Sequence, residues 1–213
     1  LNKGLTIRVD HDEAVGDDWQ ERYVQVLLQR LYRNELLRAM AALDAAANST
    51  DVTWDTTDGN PDGDLRSALI RAADSSGIRP NRLLIGETAW DIRADAYEAQ
   101  QTAGAHGGIV LTPEALAAKL FVDGARVISS RYQSAATTKT ALGGANVYAF
   151  YAMAGLAKDD PANLRRFVTP TDGGDFRVYL EEHTKYTDLT VEHYSNVIVT
   201  SDLGIEKLAV SAS

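Results

Sequence analysis

Residues 19–47, WQERYVQVLLQRLYRNELLRAMAALDAAA, decide the architecture. Val24, Leu27, Leu28, Leu31, Tyr32, Leu36, Ala39 and Leu43 recur at three- and four-residue spacing, while Arg22, Gln29, Arg33 and Asp44 fall opposite. That is the period of an amphipathic α-helix. At ~1.5 Å per residue it is roughly 40 Å long, unusual for a compact domain. Asp17 and Asp18 stand where an N-cap belongs, and their charge suits the positive end of the helix dipole. Glu35 and Arg38 interrupt the stripe at a spacing that predicts a pair. The stripe places Leu28 and Leu36 in the core of this spine.

Upstream, Leu5–Val9 alternates like a strand and runs into the acidic stretch Asp10–Asp18. Downstream, a turn-rich connection carries a strand at Val52–Trp54. A helix follows over Asp64–Ser76, with Gly77 as terminator. Arg82–Gly86 reads as a buried strand, and Thr88 with Asp91 as a capping box opening a helix that reaches Gln100. Thr112-Pro113-Glu114 starts a helix that ends near Leu120. Arg126–Ile128, Val147–Tyr151, Phe176–Leu180, Tyr186–His193, Val197–Thr200 and Leu208–Val210 read as strands. A long helix, short helices between strands and a terminal β-region make the fold class α+β.

Composition narrows the function classes. With 213 residues, 45% hydrophobic and 24% charged, the chain can build one sizeable domain or two small intertwined ones. The net charge of -9, with Arg165-Arg166 the only adjacent basic pair, argues against nucleic-acid reading. The absence of cysteine excludes disulfides, thiolate nucleophiles and cysteine-based zinc sites. No apolar run approaches the ~20 residues of a membrane helix.

Each chemical motif has a structural reading that suits it better. Asp58–Gly63 matches the first half of a calcium loop, but its twelfth place is Leu69, so it reads as a turn before a helix cap. The cluster Asp10, Asp12, Glu13, Asp17 and Asp18 reads as a solvated linker. His11, His106, His183 and His193 form no zinc-binding pair, and His183 reads as a polar surface residue. The glycine stretches 104–108 and 143–144 match no phosphate or dinucleotide loop and read as flexible, and no nucleophile elbow occurs. No catalytic, metal-binding or cofactor-binding residue is assigned.

Three segments carry a family resemblance. They are Asn81–Asp91; Leu111–Ala117 followed by Ala125–Ile128 and Tyr132; and the closing series Phe176–Tyr179, Tyr186–Glu192 and Asn196–Thr200 with Gly204. In order and pattern they resemble the major capsid proteins of tailed phages, whose Hong Kong 97-like fold encapsulins share. The resemblance spans Trp19–Ser211. It implies a peripheral domain of 19–57 and 172–200, an axial domain of 58–171 and 201–213, and a remnant of an extended loop at 1–18. It implies a structural subunit that assembles with itself, in hexamers and pentamers, into a shell around viral DNA. Scaffolding, portal or decoration proteins are the further partners it suggests, and the virion, assembled in the host cytoplasm, is the location. It places Glu181, Glu182 and Lys185 on an exposed rim as subunit-interface residues. The alternatives are an encapsulin-type compartment shell and, more remotely, a small α+β enzyme with its site near His106.

Overall fold

The amphipathic segment forms one helix in the computed structural model, which describes residues 2–14, 16–55, 57, 59–100, 112–155, 161–169 and 174–212. In chain order the described elements are β1 (Asn2–Asp10), a 3-10 turn (His11–Glu13), α1 (Trp19–Ala46), β2 (Asn48–Thr53), α2 (Pro61–Ser76), β3 (Arg82–Gly86), α3 (Glu87–Ala99) and α4 (Pro113–Leu120). There follow β4 (Gly124–Ile128), β5 (Arg131–Ala135), β6 (Thr138–Ala141), β7 (Asn146–Phe150), β8 (Leu164–Val168), β9 (Arg177–Glu182), β10 (Tyr186–Val199) and β11 (Glu206–Ser211). Leu1–Ala39 with Arg165–Ile198 form one compact unit, and Met40–Leu164 with Val199–Ser213 form another.

In the first unit, β10 is the central strand. β1 lies antiparallel to it from Asn2↔Tyr194 to Asp10↔Tyr186, and β9 from Thr187↔Glu182 to Glu192↔Arg177. β8 completes the four-stranded sheet. Strand alternation turns Thr187, Leu189, Val191 and His193 inward, and Leu27 and Leu31 of α1 pack on Leu189 and Val191. Full burial of a leucine contributes about 1.5–3 kcal/mol, so this seam is what joins helix to sheet.

Two expectations for the helix change here. Leu28 is half-buried at the edge of the seam, but Leu36, predicted to be core, is exposed. The buried line runs Leu27, Leu31, Glu35 at strict four-residue steps, and Leu36 lies off it by one residue. Glu35 does not pair with Arg38 either; it accepts from Arg166 Nε of β8 at 2.8 Å. β10 is one continuous strand of 14 residues where two were expected, because Ser195 keeps the inward alternation through the polar stretch.

The second unit is built on a five-stranded mixed sheet, β2-β11-β7-β3-β4, in which β2 and β11, and β3 and β4, are parallel. Leu65 and Leu69 of α2, Leu116 and Leu120 of α4, and Trp54 pack with Leu83, Ile85 and Leu208 of the sheet. Met40 and Leu43, the last turns of α1, pack with Tyr148 and Ile205, and β2 pairs with β11. Residues 40–53 therefore belong with this unit, although the resemblance assigns everything through 57 to the peripheral domain.

Local chemistry explains the helix ends. Asn60 Oδ1 accepts from Gly63 N and Pro61 takes the first turn, so α2 starts three residues earlier than periodicity suggests. Thr112 caps α4 through Ala115 N, as its sequence predicts. α3 begins at Glu87 and its cap is Gly86, not Thr88. Gly86 is there for another reason: a Cβ on it would lie 2.1 Å from Gly144 O, and one on Gly143 would lie 2.8 Å from Gly86 Cα. The 143–144 stretch is thus a close backbone crossing rather than a loose loop.

Candidate assembly surface

An open apolar surface of the first unit lies on β9. This strand pairs with β10 along one side, no other strand pairs with it among the described residues, and all six of its residues are exposed. An unpaired edge presents backbone donors and acceptors to another chain. Val178, Tyr179 and Leu180 are each close to half exposed. Val178, Leu180 and Leu189 line a groove with Gln20, Glu21, Val24 and Gln25 of α1.

The predicted rim residues sit beside this edge. Glu181 and Glu182 lie within β9, opposite Asp188 and Thr187, and not in the turn where they were expected. The strand extends because β10 has residues to pair with them. Lys185 occupies the turn, where its carbonyl accepts from His11 N at 3.0 Å. All three side chains are exposed. His183 packs at a tilt against Tyr186, ring centroids 4.5 Å apart, with its Nε2 3.7 Å from Glu181 and 3.9 Å from Asp188. Arg8 grips Asp188 with two bonds of 2.9 Å and lies 3.8 Å over the Tyr186 ring. Those bonds hold the Asp188 carboxyl below its ordinary range. The arrangement offers a free strand edge, apolar side chains and fixed charges, which is the chemistry of docking another chain.

Sequence reasoning missed a polar cluster in the same unit. His193 is fully buried, stacked on Phe176 at 4.9 Å, and neither ring nitrogen has a hydrogen-bond partner. Glu35 lies nearby: burial would raise its carboxyl, but the bond and charge of Arg166 together with the other polar groups around it outweigh that and hold it below its ordinary range. Arg166 also reaches Asp175 at 2.9 Å. Burial pushes the His193 imidazole below its ordinary value; Glu35 opposes this, while Arg166, Arg38 and Lys3 reinforce it. A histidine that is harder to protonate folded than unfolded contributes stability above the unfolded pKa of about 6.5 and loses it as pH falls. The first unit is therefore expected to melt at a lower temperature at about pH 5 than at about pH 7.5. His193→Phe should flatten that dependence, as read by circular dichroism. An unchanged pH profile in the variant would remove His193 as its cause.

In the second unit, Asp62 is tied to basic side chains. Its carboxylate takes Arg93 at 3.0 Å and Lys119 at 2.8 Å, and Trp90 and Tyr97 flank the guanidinium. Asp58, His106 and the 104–108 glycines lie outside the described residues.

No protein-family model and no curated protein matches this chain. Among solved structures it is similar to a phage-related protein of Bordetella bronchiseptica RB50, with TM-score 0.75 and 19% identity over 98% of this chain and 74% of that one. It is similar to the virus-like particle protein of Pyrococcus furiosus, with TM-score 0.59 and 15% identity over 98% and 76%. The capsid protein of cyanophage P-SCSP1u matches with TM-score 0.54 and 13% identity over 100% and 72%. The chain has the α+β fold of phage capsid subunits, the Hong Kong 97-like fold that its sequence segments resemble.

Proposed function

We propose that this chain is a shell-forming subunit of a tailed-phage head, a major capsid protein that assembles with copies of itself into an icosahedral wall around the genome. The likeness to the phage-related structure over 98% of the chain carries the reading. The exposed edge of β9 supports it, because a strand that is open along one side and half apolar fits a molecule that works among neighbours. In this reading Glu181, Glu182 and Lys185 set register against a neighbouring subunit.

The test is Glu181→Lys with Glu182→Lys in the full-length protein. Exposed charges of this kind contribute within about half a kcal/mol to folding, so the melting temperature should hardly change. Particle yield should collapse, or particle diameter should change. Normal particles at both low and physiological salt would return these residues to the role of a solvated strand end. The absorbance ratio of intact particles separates a genome-filled head from a compartment shell loaded with protein.

A further inference from the structure

One element of the second unit stands out from the five-stranded sheet among the described residues. β5 and β6 form a two-stranded sheet of their own, paired from Arg131↔Ala141 to Ala135↔Thr138, and every residue from Arg131 to Thr140 is exposed. A lone two-stranded hairpin is marginal in water. Its internal ties are polar, with Ser134 Oγ 2.7 Å from Thr140 Oγ1 and Gln133 Nε2 donating to the Ala136 carbonyl at 2.9 Å. At its root, Arg131 Nη2 meets Glu87 at 2.6 Å. Tyr132 is its one large exposed apolar side chain, and the rest of its surface is mainly polar, so it suits a polar partner surface.

Its charge indicates which one. Residues 124–155 contain Arg126, Arg131 and Lys139 and no acidic residue, in a chain of net charge -9. α3 is the counterpart. Glu87, Asp91, Asp95 and Glu98 recur at helical spacing, the last three exposed, while the helix's one cation, Arg93, is turned inward onto Asp62. The Arg131–Glu87 contact already shows, within one chain, the hairpin's cation meeting the first of those carboxylates.

We propose that the β5–β6 hairpin of one copy docks on the acidic face of α3 of a second copy, with Lys139 set among Asp91, Asp95 and Glu98. Because the two surfaces differ, the contact is head-to-tail, and in a closed shell it repeats around a ring. The inference rests on the shell reading and names a contact within it. A second copy is favoured over nucleic acid because the complementary charge is on the chain itself.

The natural absence of cysteine permits a direct test. Thr137→Cys places a thiol at the hairpin tip, and Thr88→Cys or Ala99→Cys places one at either end of the α3 face. Mixed under mild oxidation, Thr137→Cys should form a disulfide-linked dimer with one of these at least about tenfold faster than with a Ser67→Cys control on α2. Adding Lys139→Glu to the hairpin copy, or raising the salt to about 1 M, should abolish the preference. Rates equal to the control, or a preference that Lys139→Glu leaves intact, would overturn the proposal. So would Lys139-dependent retention of duplex DNA without preferential cross-linking. Normal particles combined with non-preferential cross-linking would remove the hairpin contact and leave the shell reading standing. Preferential cross-linking without particles would do the reverse.

Discussion

Leu31→Asp is expected to unfold the first unit, whereas Leu36→Asp should leave its melting temperature nearly unchanged. The two leucines lie five residues apart on α1, and sequence periodicity puts both on the apolar stripe. Leu31 is 4% exposed and packs in the seam with Leu27, Leu189 and Val191, while Leu36 is 36% exposed. An aspartate at 31 would be an unpaired charge among aliphatic side chains, which costs several kcal/mol, a large share of the about 5–15 kcal/mol that holds a domain together. At 36 the carboxylate would reach water, and the change should stay within about 1 kcal/mol. Thermal and denaturant melts followed by circular dichroism separate the cases. Equal stability of the two variants would mean the seam is not where the structure puts it.

The second large effect is expected at Asp62 and Arg93. Arg93 is 2% exposed, and its guanidinium meets an Asp62 carboxylate that is equally buried. Arg93→Met would leave Asp62 with Lys119 alone, and breaking a buried pair from one side costs about 3–5 kcal/mol. Asp62→Leu combined with Arg93→Met removes both charges and should cost much less, so the double variant is expected to be more stable than Arg93→Met. Burial would raise the Asp62 carboxyl, but the bonds from Arg93 and Lys119 outweigh this and hold it below its ordinary value. A depressed carboxylate contributes stability above its unfolded pKa of about 3.9 and loses it as pH falls toward the folded value. The double variant should therefore lose part of the acid sensitivity below about pH 4. A double variant less stable than Arg93→Met would contradict the pair's assigned role.

What could be read from the sequence follows the range of each signal. α1 was legible to within a residue because 28 residues of period carry it, and α4 because its cap and proline are adjacent in the chain. The exact seam was not. An apolar stripe about 100° wide holds more residues than one contact line, and the sheet opposite chooses among them. Glu35 is buried because Arg166, far along the chain, sits across from it, and no local pattern encodes that partner. β5, β6 and β8 went unpredicted because they are short and carry no clear apolar alternation. The rim residues were placed one element off for a similar reason: only the register with β10 shows that Glu181 and Glu182 remain in strand. The fold is legible where these details are not because it rests on the order of many elements, which survives an error at any one boundary.

Electron microscopy of the full-length protein purified from expressing cells decides whether this fold builds a shell wall. Closed icosahedral shells are expected, with wall subunits that accommodate both α1 with its four-stranded sheet and the five-stranded unit. A monodisperse small species that forms no shells or rings at any protein concentration or salt would contradict it.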